Sequence, residues 1–543
     1  MNNTIFRFDP PQSEPMPSYA PGTPERAALK AELGRMELET IEIPLIIGGR
    51  EVRTGRLGRL TMPTAHGHVL ATYHQAGPEE VGQAIDAARE AKREWEVLSW
   101  VERASILLKV AELLSRKHRA SINAATMLGQ GKSAHQAEID AAAETIDYLR
   151  WNAYFASRVY GYQPKSGFDQ LNRMEYRPLE GFVLAISPFN FTAIASNLNL
   201  AVALMGNTTV WKPASTALLS NYLLMRIFAE AGLPPGVVNF VPGPGPTIGD
   251  AALAHPELAG IHFTGSNATF NRLWRGVAEN LGRLRTYPRI VGETGGKDFV
   301  FVHASADPLE VATAIVRGAY EYQGQKCSAA SRAYVPRSLW PQLRDRLVGM
   351  IREIKVGDVR DFRNFMNAVI DEPAYDRITG YLERAKASPD VTVLAGGSGD
   401  RSVGWFVQPT LLETRDPHFA TMEEELFGPV MTVFVYEDRE FEATLELCDR
   451  TSPYALTGAF FGRDRSAFVQ ACRKLRYAAG NFYLNDKPTG AMVGLQPFGG
   501  SRGSGTNDKA GGPLNLFRWV NPRTIKETFV PATDFRYPYM ARE

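Results

Sequence analysis

The hydrophobic pattern divides the chain into a helical first part and two later stretches in which apolar strands alternate with helices. Val81, Ile85, Ala88 and Trp95 recur at helical spacing, and the helical pattern continues to about residue 160. From residue 181 short apolar runs are separated by helical segments, and the same texture resumes near residue 297. This alternation is typical of a doubly wound α/β sheet with right-handed crossovers. The sequence therefore predicts an α/β protein.

The individual elements follow from the same pattern. In the first stretch the predicted strands are 182–186, 208–211, 237–241 and 260–263. In the second stretch they are 298–302, 332–335, 391–394, 430–435, 457–461 and 480–484. The predicted helices are 24–39, 192–205 and 216–231, with strand-like segments at 43–73 and a helix break at Gly129–Gly131.

The two ends of the chain differ from these stretches. Residues 1–24 are rich in proline and carry Asp9 and Glu14, which predicts an extended surface arm rather than a transit peptide. The tail 514–530 is strand-like. Because an unpaired strand edge is unfavourable, we expect the tail to pair with a neighbouring subunit near a hairpin at 161–180. A strand folded back on its own subunit is the alternative.

Composition and charge exclude several classes of protein. Hydrophobic residues make up 44% and charged residues 22%, which is typical of globular proteins and excludes disorder and collagen. The 60 basic and 59 acidic residues give a net charge of +1, so nothing favours nucleic acid or an anionic membrane surface as a partner. The uncharged segment Gly181–Trp211 contains Pro188 and several asparagines, which indicates buried strands rather than a membrane span.

Cysteine usage and the first residues indicate a compartment. The three cysteines form no CxxC pair, so neither a metal site nor a disulfide framework is predicted, and a reducing environment is expected. There is no apolar signal-peptide segment. We therefore expect a cytoplasmic protein, or one of the mitochondrial matrix if the cell is eukaryotic.

Cys327 is the first candidate for chemistry. A lone cysteine is most often buried and inert, and we expect that of Cys448 and Cys472, which lie in helical, charge-flanked segments. Cys327 instead follows the glycine of Gly324-Gln325-Lys326, and a glycine permits close approach of the backbone to a ligand. Lys326 is expected to favour the thiolate.

Three further positions are candidates with a structural alternative each. Glu293 lies in a glycine-rich segment and is either a base near a substrate or a turn residue. Asn190 follows a predicted strand end, where its amide either donates to an oxyanion or stabilises a turn. Gly265-Ser266 forms a strand–turn–helix entry that can present backbone N–H groups to a phosphate, although it is not GxGxxG. The Gly243–Pro246 segment is interpreted as a loop.

Together, ordered motifs resemble the aldehyde dehydrogenase superfamily from about residue 43 to 530. They are SPFN at 187–190, WKP at 211–213, FTGS at 263–266, GETGGK at 292–297, GQKC at 324–327 and EELFGPV at 424–430. Within that superfamily the chain is most similar to the 1-pyrroline-5-carboxylate dehydrogenases of proline catabolism. The stretches that carry this closer resemblance are 129–144, 186–198, 321–336 and 485–513.

The resemblance implies a reaction. Cys327 attacks the aldehyde of L-glutamate γ-semialdehyde, which is in equilibrium with 1-pyrroline-5-carboxylate, and Asn190 with the Cys327 N–H holds the oxyanion. Hydride passes to NAD, and Glu293 activates the water that hydrolyses the thioester to L-glutamate. This is the second step of proline degradation. The alternatives are another semialdehyde dehydrogenase of the superfamily, a CoA-acylating enzyme, which Glu293 argues against, and a non-catalytic protein with this fold.

The resemblance also implies binding residues. NAD is expected at Ser187, Lys212, Ser215, Gly265, Ser266, Asn267, Ala268, Thr269, Glu425 and Phe427. Ser215 stands where members that strongly prefer NAD often carry an acid, so some use of NADP is compatible with the sequence. The substrate is expected at Glu144, Phe191, Lys326, Ser328, Gly490, Ala491 and Phe498. Ala491 stands where this branch can carry a serine, and a solvated helix face is the alternative for Glu144.

The same resemblance implies an organisation into units. We expect an N-terminal extended arm at 1–42, a Rossmann-type NAD-binding domain at 43–160 and 181–292, and an α/β catalytic domain at 293–500. A β oligomerisation arm is expected at 161–180 and 501–543, which implies a homodimer or a higher assembly of dimers. A fused proline dehydrogenase is not expected, because the chain before residue 43 is too short for a flavin-dependent barrel, so proline dehydrogenase is expected as a pathway neighbour.

Overall fold

The computed structural model describes residues 8–542, so residues 1–7 of the predicted N-terminal arm and residue 543 of the predicted oligomerisation arm lie outside the described residues. The helices are α1 Pro24–Glu37, α2 Pro78–Trp95, α3 Trp100–Ser115, α4 Arg119–Gln130, α5 Ala134–Ala137, α6 Thr145–Gly161, α7 Thr192–Leu204, α8 Leu218–Glu230, α9 Gly245–Leu253, α10 Asn267–Asn280, α11 Pro308–Tyr320, α12 Trp340–Glu353, α13 Glu372–Ala387, α14 Ala420–Glu423, α15 Phe441–Arg450, α16 Arg465–Lys474 and α17 Pro513–Phe517. A π-helical segment, Glu138–Glu144, joins α5 to α6.

The strands make up the rest of the regular structure. They are β1 Ile41–Ile43, β2 Leu45–Ile47, β3 Arg50–Val52, β4 Leu57–Met62, β5 Ala65–His74, β6 Gln170–Pro178, β7 Phe182–Ile186, β8 Thr209–Lys212, β9 Val238–Phe240, β10 Leu258–Thr264, β11 Arg289–Glu293, β12 Asp298–Val302, β13 Ala330–Pro336, β14 Val391–Ala395, β15 Gly399–Asp400, β16 Phe406–Val407, β17 Thr410–Thr414, β18 Val430–Tyr436, β19 Tyr454–Ala455, β20 Thr457–Phe461, β21 Asn481–Leu484, β22 Ser501–Arg502 and β23 Val520–Thr528.

The first large sheet has the order β11-β10-β7-β8-β9-β2-β3. Strands β11 to β9 in this order run parallel, and β2 and β3 add an antiparallel edge. Phe182 and Leu184 belong to one buried cluster, whereas Val183 and Ala185 belong to another. Because successive side chains of a strand point to opposite faces, this sheet is covered on both sides, which explains its continuous apolar strands.

The second large sheet has the order β14-β17-β18-β13-β12-β20-β21. All its pairs are parallel except that between β14 and β17. Phe299 and Phe301 face one apolar cluster, and Val300 and Val302 face another. The prediction of two α/β stretches is therefore confirmed, although β11 and β17 were not predicted. A smaller sheet, β1-β5-β4, accounts for most of the strand-like segments at 43–73.

The tail differs from the expectation. Residues Pro513–Phe517 form a helix, since Pro513 occupies its first turn, and only Val520–Thr528 form a strand. This strand pairs antiparallel with β6 of the same chain, from Val520 opposite Pro178 to Thr528 opposite Gln170. The predicted pairing of the tail with a neighbouring subunit is therefore wrong for this edge. The segment 161–180 contributes one strand to this ribbon and forms no hairpin of its own.

The N-terminal arm is fixed more firmly than a surface arm would be. The Glu14 carboxylate is buried and accepts hydrogen bonds from Ser115, Arg119 and Arg150 at 2.8, 2.6 and 2.5 Å. The Tyr19 hydroxyl donates to Glu138 at 2.6 Å. The arm is thus tied to α3, α4, α6 and the π-helical segment. Within residues 8–542, no helix is long and apolar enough to cross a bilayer.

Candidate active site

A cavity of about 550 Å³ lies at the carboxyl ends of β7, β8, β10 and β11, which is where open α/β sheets bind ligands. It brings together nine of the residues singled out in the sequence: Ser187, Asn190, Lys212, Gly265, Ser266, Thr269, Cys327, Glu425 and Phe427. The wall combines strand residues of the first large sheet, such as Ile186 and Phe263, with Cys327 and Glu425 from the loops that lead into β13 and β18 of the second. The cavity is thus formed between the two sheets.

Cys327 lies in a strained loop. Tyr322, Gln323 and Gly324 all have positive φ angles, of 52°, 56° and 66°. A side chain at Gly324 would bring its Cβ within 2.3 Å of the Gly428 carbonyl oxygen, so only glycine fits there. Left-handed non-glycine residues persist only where their surroundings enforce them, and they cluster at functional sites.

Two buried glutamine side chains hold this loop. Gln323 donates to the Gly131 and Ala368 carbonyls at 2.9 and 2.8 Å and accepts from the Asn367 N–H at 3.0 Å. Gln325 accepts from the Ile370 N–H at 2.9 Å. Because these side chains bond to backbone groups of distant segments, the loop before Cys327 has a defined conformation.

The surroundings of Cys327 favour the thiol, not the thiolate. Burial raises the pKa of Cys327 well above its usual range, and the negative charges of Asp298, Glu293 and Glu425 add to the effect. The Lys326 ammonium pairs with Glu321 at 3.3 Å, and the charges that act most strongly on the thiol are those of the three carboxyl groups. The effect of Lys326 on the thiolate stays a prediction.

Asn190 connects the two sides of the site. It follows β7, and its buried amide donates to the Gln325 carbonyl at 3.0 Å. An asparagine amide carries two N–H donors, so the second remains to serve a ligand. The amide therefore lies beside the loop that carries Cys327, as an oxyanion donor must.

Glu293 ends β11 and is not part of the cavity wall, which instead includes its neighbours Thr294 and Gly295. Its carboxyl accepts from the Gly500 N–H at 3.3 Å. Burial raises the pKa of Glu293 well above its ordinary value, and Lys509 opposes this shift. Glu293 is accordingly a half-buried acid held next to the cavity wall.

Three of the expected cofactor residues, Lys212, Glu425 and Phe427, line the cavity and have defined surroundings. Burial lowers the pKa of Lys212, at the end of β8, to about 8. Glu425 accepts from the Gly296 N–H at 2.8 Å, and its pKa is raised to about 7 by burial. A Cβ at Gly295 would lie 2.1 Å from a Glu425 oxygen, so the glycine permits this contact. Phe427 contacts Phe189 edge-to-face at 5.7 Å.

The turn before α10 is only partly directed at the cavity. Ser266 caps the helix by accepting from the Thr269 N–H at 3.3 Å. Because Gly265, Ser266 and Thr269 line the cavity, the N-terminus of this helix faces it. The Asn267 amide donates to the Gly503 carbonyl at 2.8 Å, and Ala268 is exposed. Asn267, Ala268 and Ser215 do not line the cavity.

The expected substrate residues lie outside this cavity. The Ser328 hydroxyl donates to Thr489 at 2.8 Å, next to Gly490, whose φ is +97°. Phe498 pairs with Ala510 through two backbone hydrogen bonds of 2.8 Å. Ala491 is half-buried in the same loop.

Glu144 is not on a solvated helix face. It ends the π-helical segment, and burial raises its pKa to about 8, with the charge of Asp140 adding to the effect. Phe191 stacks under the Lys132 ammonium, which lies 4.1 Å from the ring centre. Both residues are therefore directed inward, toward the Cys327 side of the molecule.

Several residues of the site escaped sequence reasoning. Tyr148 is buried, and burial together with the charges of Glu144, Glu293 and Cys327 raises the pKa of its phenol, so it lies on the same side of the molecule as these groups. The Gly243–Pro246 segment, interpreted as a loop, opens helix α9 and contributes to the cavity wall. Further wall residues are Phe189, Asp250, Arg272 and Arg377. The spacing of four residues from Glu144, which puts both side chains on one helix face, is the signal that could have indicated Tyr148.

Comparison with known proteins agrees with this geometry. Residues 55–525 match the model of the aldehyde dehydrogenase family. The chain belongs to this family. It is 53% identical to the mitochondrial delta-1-pyrroline-5-carboxylate dehydrogenase of Dictyostelium discoideum, over 98% of this chain and 96% of that protein.

Solved structures of the family extend the comparison. The delta-pyrroline-5-carboxylate dehydrogenase of Mycobacterium tuberculosis bound with NAD is 51% identical with a TM-score of 0.96, covering 100% of both chains. Proline utilization A (PutA) of Bdellovibrio bacteriovorus, inactivated by N-propargylglycine, is 29% identical with a TM-score of 0.91, covering 98% of this chain and 54% of that one. The expected aldehyde dehydrogenase fold is therefore confirmed.

Proposed function

We propose that this aldehyde dehydrogenase oxidises L-glutamate γ-semialdehyde, in equilibrium with 1-pyrroline-5-carboxylate, to L-glutamate with NAD, the second step of proline degradation. The observation that carries the proposal is the position of Cys327 at the cavity wall with the Asn190 amide beside its loop. Relatives about half identical over nearly the whole chain carry the name of this activity.

NAD fits the cavity. A volume of about 550 Å³ is within the range of small-molecule sites. Lys212 and Glu425 offer a cation and a carboxyl to ribose hydroxyls, and the N-terminus of α10 offers backbone N–H groups to a pyrophosphate. When bound, NAD supplies the hydride acceptor of the oxidation.

The side chains of the protein perform the remaining steps. Cys327 loses its proton and forms a thiohemiacetal with the aldehyde carbon, and Asn190 Nδ2 and the Cys327 N–H stabilise its oxygen. The raised pKa of Cys327 means that the protein alone does not hold the thiolate, so ionisation belongs to the loaded site. After oxidation to the thioester, Glu293 accepts a proton from the attacking water.

The substrate residues surround the far side of Cys327 in this proposal. Lys326, Ser328 and the loop at Gly490–Ala491 bind the charged end of the semialdehyde, and Phe191 and Phe498 flank its aliphatic part. Glu144, protonated near neutral pH, joins this group as a hydrogen-bond donor.

The proposed activity is tested by NADH formation from glutamate γ-semialdehyde and from a panel of simple aldehydes. We expect kcat/KM to be highest for the semialdehyde, because only it offers an α-carboxylate to the Gly490–Ala491 loop. A preference for simple aldehydes would contradict the proposal and favour another semialdehyde or general aldehyde dehydrogenase.

The Ala491→Ser variant tests the carboxylate site. A hydroxyl at this position adds one hydrogen bond to a charged group, which lowers KM for the semialdehyde about 10-fold. The KM for propanal, which has no carboxylate, should not change. An equal change for both aldehydes would show that residue 491 does not contact the carboxylate.

The protein is further proposed to be a homodimer or an assembly of dimers. The β6–β23 ribbon has two strands, and an isolated two-stranded ribbon is at best marginally stable. Its outer edges are unpaired within residues 8–542, and an open edge favours addition of another chain. A second copy of this chain would cover one edge, in agreement with closed symmetry.

Truncation tests this assembly. A stop after Val520 removes most of β23 but keeps the buried Trp519 and Val520, whereas a stop after Gly512 would open the core. We expect the shortened chain to show a lower mass by light scattering, while a stop after Val530 keeps the assembly. If both truncated chains retained the full assembly, the ribbon would not be its interface.

Pathway and compartment complete the proposal. A proline dehydrogenase, as the neighbouring enzyme of the pathway, would supply the substrate. The compartment is proposed to be the cytoplasm of a bacterial cell or the mitochondrial matrix of a eukaryotic one, as in the name of the Dictyostelium relative.

A further inference from the structure

A buried ion pair lies directly behind the proposed oxyanion site. Lys132 Nζ is 2.7 Å from Asp140 Oδ2, and neither side chain is exposed. Burial lowers the pKa of Lys132. Removing two charges from water is costly, and such pairs often add no stability over apolar residues of equal volume. The pair is therefore better explained by what it positions than by stability.

Asp140 caps the helix that follows Asn190. Its Oδ2 accepts from the Thr192 N–H at 2.9 Å and its Oδ1 from the Ala193 N–H at 2.8 Å. These are the first N–H groups of α7, which have no partner within the helix, and Phe191 at the N-cap has no side chain to satisfy them. A carboxylate is favoured there by the helix dipole as well.

Lys132 contacts both segments of the oxyanion site. Its ammonium lies 4.1 Å from the centre of the Phe191 ring and 4.5 Å from that of Tyr322. Phe191 adjoins Asn190, and Tyr322 begins the left-handed turn that leads to Cys327. The carbonyl of Gly131, next to Lys132, also accepts from Gln323 of that turn. The ion pair therefore contacts both segments that position the oxyanion donors: the start of α7, next to Asn190, and the left-handed turn before Cys327.

We propose that Asp140 and Lys132 are positioning residues that fix the Asn190 amide relative to the Cys327 loop. This inference rests on the proposed function, because it assigns Asn190 a role in the oxidation. Asp140 holds the first turn of α7, and Lys132 holds that turn against the Cys327 loop. Neither residue needs to contact the substrate.

A double-variant cycle tests the coupling. We expect Asp140→Asn to slow the first-turnover release of NADH by about 10-fold to 100-fold, the cost of a small misplacement. In an Asn190→Ala background the same change should cost less than about 3-fold, because residues that act through one another are not additive. Affinity for NAD, measured by fluorescence, should stay within about 2-fold of the unchanged protein.

A matched control separates positioning from stability. Glu138→Gln alters another buried carboxyl of the same π-helical segment, one that bonds Tyr19, Arg119 and Asn123 instead of α7. The fold change that Glu138→Gln causes in the first-turnover release of NADH should be the same with Asn190 present and in the Asn190→Ala background. Equal fold losses for Asp140→Asn in both backgrounds would overturn the proposal. If Asn190→Ala alone had no effect, the oxyanion role that the proposed function gives Asn190 would fail instead.

A second variant pair removes the hydrogen bond without touching the ion pair. Thr192→Pro deletes the N–H that Asp140 accepts, at the first helical position, where proline is tolerated. Thr192→Ala keeps this N–H but loses the same hydroxyl contacts. We expect the proline variant to be several-fold slower than the alanine variant. Identical rates would contradict the positioning role of Asp140.

Discussion

Cys327→Ala should abolish the dehydrogenase reaction while leaving NAD binding intact. The sulfur forms the covalent bond to the aldehyde, and Cys327 is the one cysteine in the cavity wall. Loss of a nucleophile typically lowers kcat by on the order of 10⁵-fold or more. Steady-state NADH formation measures the first effect, and titration of intrinsic fluorescence with NAD measures the second.

Cys472→Ala is the matched control for this change. Cys472 is a half-buried cysteine of α16 that does not line the cavity, so its replacement should leave kcat within about 2-fold. Substantial turnover by Cys327→Ala would show that another group forms the covalent bond. Loss of both turnover and NAD binding would show that the change disturbs the cavity itself.

The raised pKa of Cys327 adds a pH dependence to this prediction. Burial and three carboxyl groups disfavour the thiolate in the protein alone, so alkylation by iodoacetamide should be slow near neutral pH. Its rate should increase as the pH rises toward the pKa of the thiol. Fast alkylation near pH 7 would mean that the site ionises Cys327 without a ligand.

The sequence predicted which strands and loops carry the site residues, but it did not predict the contacts between the side chains of the site. Asn190, Lys212 and Gly265 follow strands that could be recognised as apolar runs, so their place at one sheet edge follows from the topology. The partner of Lys326 could not be inferred in this way. Glu321 is five residues away in the chain, and only the left-handed turn between them brings the two charges together.

The tail illustrates the same limit. Its β-branched residues predicted a strand, and Val520–Thr528 form one. The choice of partner depends on which edge lies within reach, and β6 of the same chain is available there. Similarly, Glu144 has the polar character of a solvated residue, but the π-helical segment turns it inward. Patterns of one chain segment do not encode such long-range choices.

Glu293→Gln should separate the two halves of the reaction. Hydride transfer precedes hydrolysis, so the variant should release about one NADH per subunit in a rapid burst and then stall as the thioester. Loss of a general base typically slows its step by about 10²–10⁴-fold. Stopped-flow absorbance measures the burst, and intact-protein mass spectrometry should detect one glutamyl group on the stalled protein, bound at Cys327.

The burst of NADH distinguishes a role of Glu293 in thioester hydrolysis from a role in an earlier step of the reaction. If Glu293 were needed to deprotonate Cys327, the variant would show slow NADH formation from the first turnover and no burst. If Glu293 were only a turn residue that accepts the Gly500 N–H, glutamine could accept the same hydrogen bond and steady-state turnover would be nearly unchanged. The three outcomes therefore correspond to three different roles.

The pH dependence of hydrolysis follows from the environment of Glu293. Burial raises the pKa of Glu293 well above its ordinary value, so the carboxyl ionises at higher pH than an exposed glutamate, and it must be ionised to act as a base. The ionised fraction grows as the pH rises, so thioester hydrolysis should accelerate with increasing pH up to the pKa of the carboxyl. In Glu293→Gln this acceleration should disappear, leaving only the increase with pH that direct attack by hydroxide causes.

Lys509→Met, which removes the nearby positive charge, should shift the pH profile of thioester hydrolysis to higher pH, because Lys509 favours the carboxylate form of Glu293. An unshifted profile would assign the titration to a group other than Glu293.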